Sequence, residues 1–172
     1  MAHSLQFIIV AVLSVALCAC HLPEPRPVEI QGVKNVAQAG DVYVAGAPTE
    51  AGLREMKARG ITTVIDLRGE NEGVAQERAT AAALGLTYIH IPMKSDQMTS
   101  EQARAVVDGF AKHKGEKILL HCAGGNRAGA AYGVYLGATG CTTDEAIRMA
   151  EKAGLKNEAL KKATREQIEA RR

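Results

Sequence analysis

The chain has no tryptophan, and its aromatic residues amount to 3% of 172 positions. The stacking platforms that single-strand nucleic-acid binders use are therefore missing. A net charge of +2 gives no general attraction to a phosphate backbone either, so no nucleic-acid partner is expected. Histidine is scarce: His3, His21, His90, His113 and His121 stand at no ligand spacing with acids or cysteines. No metal and no cofactor is expected from them.

Charge is absent from the N-terminus. Residues 1–20 contain no Lys, Arg, Asp or Glu, and 7–17 is almost continuously apolar. That run is too short to span a bilayer comfortably and has the length of a signal-peptide core, although only His3 stands where a positive flank belongs. Leu17-Cys18-Ala19-Cys20 resembles a bacterial lipoprotein processing site, at which Cys20 would be lipidated. Pro23, Pro25 and Pro27 make 21–39 a stiff spacer. The expected product is exported, periplasmic or membrane-anchored, touching the membrane only through a lipid anchor. Cys122 and Cys141 then remain, and the helix expected between them holds them too far apart for a bridge.

From residue 40 the pattern is regular. Residues 41–46, 61–67, 86–91 and 118–120 are short apolar runs that read as strands. Helices are expected between them, one capped by Thr49 and ended by Gly60, one over 73–84, and one opened by the capping box Thr99-Ser100-Glu101-Gln102. Strands alternating with helices predict an α/β domain with a parallel, about four-stranded sheet covered on both faces. Ligands bind such sheets at the carboxyl ends of the strands, which puts loops 66–73, 92–98 and 121–127 on one rim. A helix over 128–139 carries Gly129, Gly133 and Gly137, and the spacing predicts that it lies close on the sheet. Thr142-Thr143-Asp144-Glu145 opens another helix, and 156–172, with six basic and three acidic residues, reads as a solvated basic helix.

The stretch His121-Cys122-Ala123-Gly124-Gly125-Asn126-Arg127 stands between the last strand and the following helix. Strand, glycine-containing loop and helix together turn backbone N–H groups toward the positive end of a helix dipole, which makes an anion site. A cysteine there is expected to favour its thiolate, and the planar fork of Arg127 matches two oxygens of a phosphate or sulfate. The chemistry is covalent transfer: Cys122 attacks while the cradle holds charge on the equatorial oxygens.

These residues resemble the protein tyrosine phosphatase superfamily, and within it the small bacterial phosphatase-like proteins grouped with beta-lactamase-hydrolase-like domains. The resemblance covers about 40–155 and rests on Ala45-Gly46-Ala47-Pro48-Thr49, Val64-Ile65-Asp66-Leu67-Arg68, Tyr88-Ile89-His90-Ile91-Pro92 and the Cys122 to Arg127 loop. It implies a three-layer tyrosine/dual-specificity phosphatase-like domain that hydrolyses phosphoric monoesters, on a protein or a small molecule, through a cysteinyl phosphate. By that resemblance Cys122 is the nucleophile, Arg127 binds the phosphoryl oxygens, Ala123, Gly124, Gly125 and Asn126 donate backbone N–H groups, and His121 orients the loop. Asp96 is the expected general acid, with Asp66 the alternative. The chain departs from the usual signature in having four residues between Cys122 and Arg127 rather than five, and Ala128 where a hydroxyl residue follows the arginine. The shorter loop also resembles rhodaneses, which leaves sulfur transfer on a Cys122 persulfide as a second reading and a disabled anion-binding module as a third. Substrate identity and oligomeric state are open at this point.

Overall fold

The computed structural model describes residues 20–172; of the expected signal peptide, 1–20, all but Cys20 lies outside the described residues. Six strands, β1 (Arg26–Ile30), β2 (Val33–Ala39), β3 (Val42–Ala45), β4 (Ile61–Asp66), β5 (Thr87–His90) and β6 (Lys117–His121), form one sheet in the order β1-β2-β3-β6-β4-β5. The four strands expected from the sequence are β3, β4, β5 and β6, and they run parallel. The sheet as a whole is mixed, because β1 and β2 extend it antiparallel.

That extension corrects the reading of 21–39 as a spacer. Prolines concealed it: Pro27 sits in β1, an edge strand, where a missing N–H is tolerated. Gly32, in the left-handed region at φ 77°, closes the tight turn between Ile30 and Val33. Val33, Val36, Ala37 and Ala39 then bury their side chains.

Helices cover both faces. Side chains alternate along β4 and β6, so Val64 and Leu119 pack with Leu53 and Met56 of α1 (Glu50–Ala58) and Ala81 of α2 (Val74–Ala83). Ile65 and Leu120 join the opposite layer, built from α3 (Ser100–Lys112), α4 (Asn126–Ala138), α5 (Thr143–Lys152) and α6 (Glu158–Glu169). Each fully buried aliphatic side chain of this kind contributes about 1.5–3 kcal/mol, and a register slip of one residue would exchange the two cores. Thr49, Thr99 and Thr142 cap α1, α3 and α5 as their sequences imply.

Two expectations about the C-terminal half change. The glycines of α4 do not approach the sheet: a Cβ on Gly129 would meet backbone of Leu155 and Ala150, and one on Gly137 would meet Ile168. The stripe receives α5 and α6. The final helix is accordingly packed along one side, with Leu160, Thr164 and Ile168 buried, so its charge runs along the outer face alone.

Cys20 and Cys141 form a disulfide, and Cys122 is free and buried. The sequence reading gave Cys20 to lipid and so left it out of the pairing. A sulfur bonded to Cys141 has no thiol to lipidate. The same N-terminal segment is fastened to α5 by Glu24, which accepts from Arg148 and, at 2.7 Å, from Lys152. Among the described residues no helix is long and apolar enough to cross a membrane.

Candidate active site

β6 delivers His121 fully buried at its end, and Cys122 follows at 1% exposure. The chain then turns into α4 through Gly125, whose φ of 100° suits a residue without a Cβ. The carbonyls of Ala123 and Gly124 point outward, accepting from the N–H of Ala47 at 3.2 Å and from Asn35 Nδ2 at 3.0 Å. In a trans peptide the next N–H points the opposite way. Gly125 N–H accordingly donates to Cys122 Sγ at 3.1 Å. The side chain of Asn126 turns away and accepts from the N–H groups of Lys156 and Asn157, so its amide anchors the α5–α6 link while only its backbone belongs to the loop.

Arg127, the second residue of α4, returns toward the sulfur. Its guanidinium is 8% exposed as a residue and donates through Nη1 to Leu67 O at 3.3 Å, Met93 O at 3.0 Å and Glu72 Oε2 at 2.8 Å, and through Nη2 to Glu72 Oε1 at 2.7 Å. The hydrogen bonds donated to Glu72 come first in holding the guanidinium's charge, with Cys122 adding to it against burial that opposes it. In return Arg127, ahead of the Gly69 N–H, holds the Glu72 carboxyl well below the usual range, at about 2. Glu72 occupies one edge of the fork, and the guanidinium also interacts with the Cys122 sulfur.

Asp96 lies in the exposed loop after β5 and shares with Arg127, Glu72 and Lys94 a rim cavity of about 350 Å³. Asp66 lies elsewhere. It is fully buried and takes Arg68 through Nε and Nη2, at 3.0 and 2.8 Å, with the Tyr88 hydroxyl donating at 2.5 Å. Burial raises its carboxyl, but Arg68, His121 and Tyr88 outweigh that and hold it below the ordinary value. Asp66 is an ion-pair residue and has no route to a leaving group.

Arg68 also donates to Glu77 Oε2 at 2.7 Å, and Glu77 Oε1 lies 2.7 Å from His121 Nε2, close but poorly aligned for a hydrogen bond. His121 is thus braced from α2. Asp66, Glu77 and His121 gather ligand atoms within 4.8 Å of one another, a grouping that sequence spacing did not reveal. The guanidinium of Arg68 already bridges both carboxylates, so a divalent ion would have to displace a cation with better geometry for them.

A family model described as "DSP-PTPase phosphatase fused to NAD+ Kinase" matches residues 18–170, nearly the whole chain. The chain belongs to that family. It is a hydrolase of the protein tyrosine phosphatase kind. The phosphatase is 32% identical over 90 residues to a beta-lactamase hydrolase-like protein of Agrobacterium fabrum, a match covering 49% of this chain and 21% of that protein, so the chain spans about a fifth of that relative. Its fold is shared with a DUF442 protein of Shewanella putrefaciens, at a TM-score of 0.70 and 23% identity over 82% of this chain and 92% of the other. Tk-PTP in its active form superposes at 0.68 and 22% identity, covering 76% and 92%.

In the phosphatase Arg127 and Asp96 line one rim cavity, and the loop of Cys122, Ala123, Gly124 and Gly125 joins β6 to the helix that carries Arg127, with His121 buried at the strand end. Three contributors were invisible in the loop motif: Glu72 on the arginine, Glu77 on the histidine, and Asn35 on the Gly124 carbonyl. Glu72 and Glu77 left a faint signal, as acids just beyond the Asp66-Leu67-Arg68 strand end. Asn35 left none.

Proposed function

We propose that the phosphatase hydrolyses phosphoric monoesters through a cysteinyl phosphate on Cys122. In the first step Sγ bonds to phosphorus, the P–O ester bond breaks, and the leaving oxygen takes a proton from Asp96. In the second, Asp96 removes a proton from water, the water oxygen bonds to phosphorus, and the P–S bond breaks to return the thiolate and phosphate. Arg127 and the inward-facing loop N–H groups hold the equatorial oxygens through both steps. His121, braced by Glu77, fixes the loop from below.

The observation that carries this reading is the Gly125 N–H at 3.1 Å from Cys122 Sγ, with the preceding carbonyls turned outward. A donor aimed at the sulfur supports a thiolate, and the same orientation supports binding of the oxyanion it attacks. Lys94, beside Arg127 on the rim, supports a substrate that presents its phosphate from an open surface. The Cys20–Cys141 pairing supports an exported protein, because such bridges persist in oxidising compartments.

The test is release of p-nitrophenol from p-nitrophenyl phosphate by the full chain under mild oxidation-free conditions, native against Cys122→Ser. Turnover in the native chain that disappears in Cys122→Ser, with inorganic phosphate still bound, is the expected result. Equal turnover in both would remove Cys122 from the reaction.

A further inference from the structure

A second cavity, of about 490 Å³, opens at the other end of β6, between α3 and α4. Its floor is Ile118, four residues before Cys122 and so about 13 Å along the strand from it. Val107 and Phe110 line it from α3, Tyr132 and Tyr135 from α4, and Leu22 from the N-terminal segment that Cys20 and Glu24 fasten down. The rings of Phe110 and Tyr135 stack with centroids 4.0 Å apart at 18°, giving the slot a flat aromatic wall. Its volume is that of a small-molecule site, and so is its lining, apolar with a few polar groups.

Tyr132 supplies the polar group that calls for explanation. It is 1% exposed as a residue and lines the cavity; no hydrogen bond to another described residue holds its hydroxyl, and that hydroxyl is not among the fully enclosed polar atoms left without a partner, so its small exposure is toward the cavity. A phenol hydroxyl that faces an otherwise apolar slot offers a hydrogen-bond donor to whatever occupies it. The charged groups at the mouth do not select an ion. Lys114 and Asp41 are both exposed and of opposite sign, while His113 and Glu116 are tied to each other at 3.0 Å and Glu116 also accepts from Thr62 and Thr63.

We propose that this cavity binds a neutral, ring-containing small molecule whose carbonyl or equivalent acceptor takes the hydrogen bond from Tyr132, with its rings along Phe110 and Tyr135. The site is separate from the phosphate rim and requires no reaction at Cys122.

The probe is Nile red, a neutral fused-ring dye with a ring carbonyl, titrated into the full chain with its disulfide intact. Saturable binding to one site with blue-shifted emission is expected. Val107→Trp, which fills the slot, is expected to weaken it at least about tenfold. Tyr132→Phe keeps the ring, removes the hydroxyl, and is expected to weaken it about fivefold, as for one neutral hydrogen bond. Hydrolysis of p-nitrophenyl phosphate is expected to be unchanged in both, and inorganic phosphate is expected not to displace the dye. Absence of saturable binding, as when a segment of the chain itself fills the slot, would overturn the proposal. So would binding that Tyr132→Phe leaves intact, or displacement by phosphate; Tyr132→Phe decides the matter if Val107→Trp does not fold.

Discussion

Arg127 places both terminal nitrogens on the carboxylate of Glu72, Nη1 2.8 Å from Oε2 and Nη2 2.7 Å from Oε1. The carboxylate fixes the plane of the guanidinium, and under the proposed mechanism the anion meets the edge that Glu72 leaves, on the side of Cys122. Glu72 is held in turn by the Gly69 N–H at 2.6 Å, so the orientation passes from the backbone after β4 to the arginine of α4.

Glu72→Gln keeps the shape and removes the charge. If Glu72 positions Arg127, kcat/KM for p-nitrophenyl phosphate is expected to fall about 10- to 100-fold, the scale of a misplaced binding group. A rise would mean that Glu72 competes with phosphate for the fork. The carboxyl is depressed in the folded state from 4.5 to about 2, first by Arg127. Its stabilisation is therefore full above the ordinary value and lost as pH falls through the folded one. The melting-temperature gap between native and Glu72→Gln is expected to be open at pH 6 and to close toward pH 2; a constant gap would assign the loss to packing.

Asp96→Asn separates the general acid from a bystander on the rim. With Asp96 as proton donor, the variant is expected to slow esters of poor leaving groups much more than p-nitrophenyl phosphate, whose leaving oxygen needs little help. A uniform effect across a leaving-group series would move the role to another residue.

Arg68→Met strands two carboxylates. Asp66 and Glu77 would lose the cation they share in a nearly dry setting, where side-chain exposures are 7% for Arg68 and 0% and 9% for its partners. Urea unfolding is expected to show a loss of about 3–5 kcal/mol, the cost of breaking a buried pair. Arg59→Ala, which removes a solvent-facing pair with Glu55 at 2.8 Å, is expected to cost less than about 1 kcal/mol. Similar losses in both would mean that the network tolerates unpaired charge.

Gly129→Ala and Gly137→Ala test the α4 stripe. At Gly129 a Cβ would come within 2.5 Å of Leu155 N and 2.9 Å of Ala150 O, both backbone, whereas at Gly137 it would meet the side chain of Ile168, with Cγ2 at 2.6 Å, Cγ1 at 3.0 Å and Cβ at 3.3 Å, so α6 itself must move out to make room. Gly129→Ala is expected to destabilise by about 1–3 kcal/mol in urea. Gly137→Ala is expected to lose less, because a helix can shift outward more readily than the backbone around Leu155 and the gain in helix propensity of about 1 kcal/mol offsets part of the crowding. Equal losses would show that α6 is as unyielding as α5.

How far the sequence carried depended on how local each feature is. β3, β4, β5 and β6 announced themselves because buried parallel strands are written as short apolar runs. β1 and β2 did not, since Pro27 and the polar Lys34, Asn35 and Gln38 interrupt the pattern, and an edge hairpin needs burial on only one face. The Cys122 loop is legible because seven consecutive residues carry it. Glu72 is 55 positions from Arg127, and Asn35 is 89 from Gly124; such partners are joined by the fold alone. The disulfide was missed for another reason, in that a processing motif claimed Cys20 before its geometry with Cys141 was known. The glycine stripe was seen, but spacing alone does not say which neighbour comes close.

The place of β6 bears on how the protein is made. It is the last strand in the chain, yet it sits between β3 and β4 and pairs with both. Until Lys117 to His121 has left the ribosome, β3 and β4 each offer an open apolar edge with nothing to close it. Such edges recruit other chains. A nascent chain stalled before residue 117 is thus not a smaller version of the enzyme but a sticky half-sheet. Its safety depends on how quickly the residues of β6 follow.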